Sequence, residues 1–457
     1  MRGSRAGIAL AVAAVWCAGS AATAQEPSRA EILRTLREAS VLARSAKPPD
    51  QASLTANIAG QQTRAGDLLG ALQTARSLRD PRDQALALGS IAWSLDRAGN
   101  LAGALEILRQ IRDRAGAAYD YENLALARAW RKDFPTAVWV ARLIGDPSLR
   151  ANVLERIAKG QAKAGDVEGT ALTIEGARAI VQGTRDDSRA LPDMIADLVA
   201  AETAVGDPSE AQEESGRLAT LLQEKTNPTS RWQLLQQLAV AQAGSGEILL
   251  ALQTIDKLPP GWARATALSF TAVSQARQGD WVDGVATARE IPPEYSSLGT
   301  LREIALILAR RADPSAAWQA AGDISDQARR AEALASVALE EAIRKMPSAI
   351  ETLELAEAAA QQLNEKNAAP ALRVIATTWA EMGDLVRARE ITAELPDSQS
   401  KKWPLENLAM AMAERGDWSG AVALGGDQTE PSLKADLLWC AAAGALDRIE
   451  DEARQQK

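Results

Sequence analysis

The chain has 457 residues, with 51 basic and 60 acidic side chains, a formal net charge of −9, two cysteines and no histidine. Lacking histidine, it cannot build histidine metal ligands, a Ser-His-Asp triad or a Cys-His dyad. An acidic balance is a poor match for nucleic acid.

Residues 1–24 read as a secretory signal: Arg2 and Arg5 precede an apolar run from Ile8 to Ala18, and Ala22-Thr23-Ala24 stands before Gln25. The run is too short for a comfortable membrane span. The expectation is therefore cleavage and export to a periplasm or the cell exterior, with no transmembrane segment in the mature chain. Cleavage removes two arginines and no acids, leaving 51 − 2 = 49 basic against 60 acidic residues, net −11. It also leaves Cys440 as the only thiol, so stability must come from packing and not from a disulfide within the chain. The stretch 25–49 holds a helix starting after Ser28, with Glu31 completing a capping box, and is expected to form an N-terminal capping helix.

From about residue 50 to 430 one unit recurs, typified by Leu154-Glu155-Arg156-Ile157-Ala158-Lys159-Gly160-Gln161-Ala162-Lys163-Ala164-Gly165-Asp166. The positions equivalent to Gly165 are Gly66, Gly99, Lys132, Gly165, Gly206, Gly246, Gly279, Ala312, Lys345, Gly383 and Gly416, spaced by 33 residues in seven of ten intervals. Eleven, eight and seven residues before this position stand an apolar residue, an Ile, Leu, Val or Thr, and an alanine, with few exceptions such as Thr55 and Val199. Offsets of three, four and seven place these on one helix face, which must be buried. The residue after the glycine position is Asp in eight units and Asn100 in a ninth. The pattern predicts that the glycine position ends a first helix in the left-handed conformation and that the acid caps a second. A further small residue five places on, as in Ala71, Ala104 and Ala137, lets the helix axes approach closely. Three units are longer, with the extra residues falling in the second helix and the loop after it, as in Ala349 to Leu363. Residues 431–457, with the polar tail Asp447 to Lys457, are expected to form a solvated C-terminal capping helix.

At these residues, and at Gly279-Asp280-Trp281 and Gly416-Asp417-Trp418, the chain resembles the tetratricopeptide repeat family. The common spacing is one residue shorter than that family's, alanine replaces its usual first-helix glycine, and its tryptophan and tyrosine positions mostly hold leucine or polar residues. The resemblance implies an all-α fold, an α-solenoid of about eleven stacked antiparallel helix pairs with terminal capping helices. It also implies a concave face, made by the first helices, that binds a peptide or protein segment.

The candidate binding residues belong to that face. Nine residues before the glycine position stand Asn57, Asn123 and Asn407, and the resemblance implies that an asparagine there reaches a bound peptide backbone. Around Asn123 gather Tyr119, Glu122 and Trp130, with Trp93 and Arg97 from the preceding unit and Arg156 and Lys159 from the next. Residues 25–168 carry a net charge of 21 − 17 = +4 against 28 − 43 = −15 for residues 169–457. Basic residues interleaved with aromatics favour an acidic segment.

Catalytic patterns are weak. Gly244-Ser245-Gly246 is an inter-helix turn with no preceding strand. Ser398-Gln399-Ser400-Lys401 is expected in a polar inter-unit loop, without the Lys-Thr-Gly element of penicillin-binding enzymes. Glu214-Ser215 lacks the further elements of lytic transglycosylases. No catalytic residue, metal or cofactor is assigned, and the chain is not expected to be an enzyme. The expected function is an exported interaction scaffold. The alternative is a carboxylate-dependent hydrolase, or a binder, of cell-wall polysaccharide, because paired carboxylates need no histidine.

Overall fold

The computed structural model describes residues 27–455, apart from 48–49, 112–113, 186–189, 293–294, 296 and much of 206–227. The expected signal lies outside these residues. Among them are 23 α-helices and no strand. We number them α1 (Arg29–Ala43), α2 (Asp50–Arg64), α3 (Leu68–Arg76), α4 (Pro81–Arg97), α5 (Leu101–Arg109), α6 (Arg114–Trp130), α7 (Phe134–Ala141), α8 (Pro147–Ala164), α9 (Val167–Gln182), α10 (Leu191–Val205), α11 (Pro228–Gly244), α12 (Ile248–Ile255), α13 (Trp262–Gln278), α14 (Trp281–Arg289), α15 (Leu298–Arg310), α16 (Pro314–Gly322), α17 (Gln327–Ile343), α18 (Ala349–Ala360), α19 (Glu365–Met382), α20 (Leu385–Glu394), α21 (Ser398–Glu414), α22 (Trp418–Gly426) and α23 (Pro431–Gln455).

The turn chemistry is as the repeat predicts. All ten described glycine positions have positive φ, including the non-glycines Lys132, Ala312 and Lys345 at 56–63°. Side-chain caps come immediately after: Asp67 accepts from the Gly70 amide at 2.8 Å, Asn100 from Gly103 at 2.9 Å and Asp166 from Gly169 at 3.0 Å. The first helices are capped in the same way by Asp80, Asp146, Asp326, Asn364 and Asp397. A second regularity serves the other end of each pair. Fifteen residues before the glycine position, Gln84, Arg150, Arg264 and Arg330 donate to the carbonyls of Leu78, Ile144, Ile255 and Ile324, which close the preceding second helices. Carbonyls that a helix end would leave unpaired are thereby satisfied by the next unit.

The alanine stripe forms the core. Ala59, Ala92, Ala125, Ala158, Ala239, Ala272, Ala305, Ala338, Ala376 and Ala409 are all buried, as are Ala71, Ala104, Ala137, Ala251, Ala317, Ala388 and Ala421 across the pair. Ala158→Leu should therefore cost roughly 1–3 kcal/mol, because a larger side chain enters a close helix crossing. Ala164, exposed beside the turn, is the control. Equal urea midpoints for Ala158→Leu and Ala164→Leu would show the packing face to be misassigned.

The first helices pack side by side in succession, α2, α4, α6, α8, α10, α11, α13, α15, α17, α19 and α21, whereas among the described residues the second helices have no comparable contact with one another. An inner layer in continuous contact and an outer layer splayed apart is a solenoid curved with its first helices at the smaller radius.

The two terminal helices, expected as caps, cap each other. α23 packs on α21 at one side and on α2 at the other, and α1 packs on α23, so the inner series of helices closes into a ring. The sequence register explains the closure. One interval of 33 beyond Gly416 falls on Ile449, and Leu438, Ala441 and Ala442, which stand eleven, eight and seven residues before it, are buried like their counterparts. α23 is thus a twelfth first helix, and it too packs against a second helix. α1 supplies it from the other end of the chain. Its cap Ser28 occupies the Asp166 position, and Ile32, Leu36 and Ala39 then match the buried Ala71, Ala75 and Leu78 in spacing. A single apolar cluster contains Ile32, Leu36, Leu54 and Ile58 together with Leu408, Leu438, Ala441, Ala445 and Leu446.

Ion pairs line this seam. Arg64 lies 2.8 Å from both Asp447 and Glu450, and Arg97, one unit on, lies 2.6 Å and 3.0 Å from the same two acids. Lys434 lies 3.0 Å from Glu38 of α1. The polar C-terminal tail is therefore not simply solvated. Two of its acids hold a guanidinium, that of Arg64, whose side chain is only 4% exposed. Among the described residues, no helix is long and apolar enough to cross a membrane.

Candidate functional site

On the inner face of the first three units, α2, α4 and α6 leave a cleft of about 340 Å³. Its polar lining includes the residues nine before three successive glycine positions, half-buried Asn57 and Ser90 and exposed Asn123. The register that builds the core also sets these side by side, because successive units repeat the same helix face one packing distance apart. Leu86, Leu124 and Leu108 supply apolar walls, and Trp93, 41% exposed, stands at one side. The lining carries one charged side chain, Asp120.

Asp120 is held in an unusual setting. Burial pushes its carboxyl up to about 7. Its carboxylate rests on the backbone of the neighbouring helix at Gly89, where a β-carbon would lie 2.2 Å from Oδ1. A glycine inside a helix costs about 1 kcal/mol relative to alanine, and a desolvated carboxylate without a partner costs more. Both meet at one point of the cleft.

The sequence-derived candidates divide between this cleft and its surroundings. Trp93 and Asn123 line it together. Tyr119 is exposed on the same helix but does not line it, and Trp130, 93% exposed, stands at the far end of α6. The cations are engaged elsewhere. Arg97 is bound to Asp447 and Glu450 and lies over the Trp93 ring at 5.8 Å from its centroid, and Arg156 lies 2.5 Å from Glu122. Lys159 is half-buried beside Glu155 and Asp197, and burial lowers its pKa. Half-buried Arg128, two residues before Trp130, and exposed Arg131 both pair with the buried Asp96, a tie between the second and third units. Sequence reasoning missed Asp120, Gly89 and Ser90. The signal for Ser90 was its place in the asparagine register. Asp120 stands twelve residues before the third glycine position, where the other ten units hold Leu54, Ala87, Val153, Met194, Leu234, Ala267, Thr300, Ala333, Ala371 and Pro404, all buried, so a lone carboxylate in that register was its signal.

A second acidic group lies on the inner face of the fourth to sixth units. Asn152 donates to Asp197 at 3.3 Å, Gln237 donates to Asp193, and Glu155 lies near Asp197, Lys159 and Glu202. Burial first, then the neighbouring carboxylates of Asp197 and Glu202, push Glu155 up to about 8, against an opposing pull from Lys159. Burial likewise raises Asp193 and Asp197. Glu155 is 1% exposed, so its carboxyl acts on the fold and has no surface to offer a substrate. Among the described residues no group of three His, Cys, Asp or Glu side chains could hold a metal ion.

No family model matches the chain, and no curated protein does. Among solved structures it is similar to the crystal structure of Ton1535 from Thermococcus onnurineus NA1, at 14% identity over 84% of this chain and 98% of that one, with a TM-score of 0.27. It is also similar to a circular tandem repeat protein with novel repeat topology and enhanced subunit contact surfaces, at 12% identity over 94% of this chain and 98% of that one, with a TM-score of 0.15. Likenesses this weak add nothing to the helical ring.

Proposed function

We propose that the protein is an exported, tetratricopeptide-like interaction scaffold, which takes up an extended peptide segment of a partner protein along the inner face of its first three units. The observation that carries this reading is the alignment of Asn57, Ser90 and Asn123 along one cleft with apolar walls and an exposed tryptophan. Side-chain amides and hydroxyls both donate and accept, so a row of Asn57, Ser90 and Asn123 matches the alternating groups of an extended backbone, and apolar walls beside them take the side chains. A carboxylate-dependent hydrolase fits this cleft less well, because glycoside cleavage uses two carboxyl groups and the lining offers Asp120 alone.

The experiment is a pull-down from the exported fraction with the mature protein, and then binding of the recovered segment to Asn123→Ala and to an Arg156→Ala, Lys159→Ala double variant. The scaffold reading expects Asn123→Ala to weaken binding by more than about 1 kcal/mol with unchanged melting. Arg156 and Lys159 lie outside the cleft lining, so the double variant should bind as the parent does. Parental affinity in Asn123→Ala would remove the cleft from consideration.

A further inference from the structure

We infer that the segment bound in this cleft carries a basic side chain, lysine or arginine, whose cation is seated on Asp120 beside Trp93; this rests on the peptide-binding reading. Three observations point the same way. The lining carries a single charge, and it is negative. That carboxylate makes no ion pair or hydrogen bond with any described residue, whereas the other charges nearby are matched: Arg97 by Asp447 and Glu450, Arg156 by Glu122, Arg128 by Asp96 and Asp133. Asp120 rests against Gly89 of the neighbouring helix, in space that a β-carbon there would contest.

A half-buried carboxylate that faces a cleft and has no partner among the described residues calls for an explanation, and here the explanation can be chemical. An ammonium or guanidinium arriving in the cleft would restore the pairing that burial removed, and a charge-assisted bond in a partly dry site is worth about twice a neutral one. Trp93 adds an aromatic wall, a surface on which cations and their aliphatic stems both pack well. The Arg97 guanidinium over Trp93 contributes no net repulsion, because two carboxylates hold it. Leu86 and Leu124 border the same space and suit the methylene stem of such a side chain. An acidic residue in this position would face Asp120 directly, which inverts the preference for carboxylate-bearing segments drawn from the local charge balance.

The test uses the mature full-length protein and peptides selected on it from a random peptide library. The expected result is enrichment of Lys or Arg at one position. In the best peptide, replacing that residue by Gln should weaken binding at least about tenfold. Asp120→Asn should reduce the difference between the Lys and Gln peptides to about threefold or less, with no loss of thermal stability, because it removes an unpaired desolvated charge. Gly89→Ala is the second variant. Its β-carbon displaces the carboxylate while favouring the helix, so it too should erase the Lys-over-Gln preference. Peptides that lose binding in Asn123→Ala yet show no basic preference and ignore Asp120→Asn would overturn the inference while leaving peptide binding in the cleft intact. Peptides indifferent to Asn123→Ala, or no enrichment at all, would overturn both.

Discussion

Replacing Leu36 by alanine should lower the stability of the ring by roughly 2–5 kcal/mol, the usual cost of emptying a fully buried leucine site. Leu36 is inaccessible to solvent and shares an apolar cluster with Leu438, Ala441 and Ala445 from the other end of the chain. α1 differs from the other second helices in having no covalent turn to its partner, so only side-chain contacts hold it on α23. The effect should therefore be local first. Hydrogen exchange should quicken in α1 and α23 before the other helices, since weakly held units open below the global transition. Leu108→Ala gives the comparison: Leu108 is buried nine residues past its own glycine position, the place Leu36 takes in the twelfth pair. It should cost a similar amount, but exchange should rise around α4, α5 and α6 and leave the seam protected. If Leu36→Ala melts like the parent, α1 is not part of the folded ring.

The second large effect is a pH dependence. Glu155 is pushed up to about 8 by burial and by Asp197 and Glu202, against about 4.3 for a free glutamate. The folded chain thus keeps a proton that the unfolded chain has lost across that window. Stability contributed by a group of this kind is present at low pH and declines as pH rises from about 4.3 towards 8, by about 1.4 kcal/mol per pH unit for a site acting alone. Lys159 beside it offsets part of the cost. Glu155→Gln, which fixes the neutral form, should match the parent near pH 4.5 and be more stable by on the order of 2–4 kcal/mol at pH 8. Glu406 and Asp120, each raised to about 7 by burial, add declines of the same sign to both proteins and so leave the difference intact. Urea midpoints at the two pH values measure it. A difference that does not change with pH would show that Glu155 is ionised in the folded protein.

Much of the architecture was legible in the sequence because it is local. The glycine position, the acid after it and the alanines before and after it act within one helix pair, so each can be read from its spacing. Even Lys132, Ala312 and Lys345 adopt the left-handed turn that their position requires. Closure was harder to read, because it depends on the curvature accumulated over all the units, and no single residue encodes that. Its traces were nonetheless present: Leu438, Ala441 and Ala442 in first-helix register, and Ser28, Ile32, Leu36 and Ala39 in second-helix register at the opposite terminus. The asparagine row of the cleft was visible as Asn57 and Asn123. Asp120 was legible too, as the one charged residue in a register, twelve before the glycine position, that otherwise holds buried uncharged side chains such as Leu54, Ala87 and Val153; only its lack of a partner needed the structure. The basic residues misled. Arg97 and Arg156 look free in sequence, and their partners lie 350 and 34 residues away.

The closed ring is tested most directly by the distance between its ends in solution. Glu38 and Lys434 form an ion pair across the seam at 3.0 Å, so spin labels on Glu38→Cys and Lys434→Cys, in a chain starting at Gln25, without Cys17, and with Cys440 replaced by alanine, report on closure. Closure predicts one short separation, set by the length of the two label arms, in the monomer at low concentration. An open solenoid would separate them by many helix packing distances of roughly 8–10 Å each, and a long or concentration-dependent separation would contradict the ring.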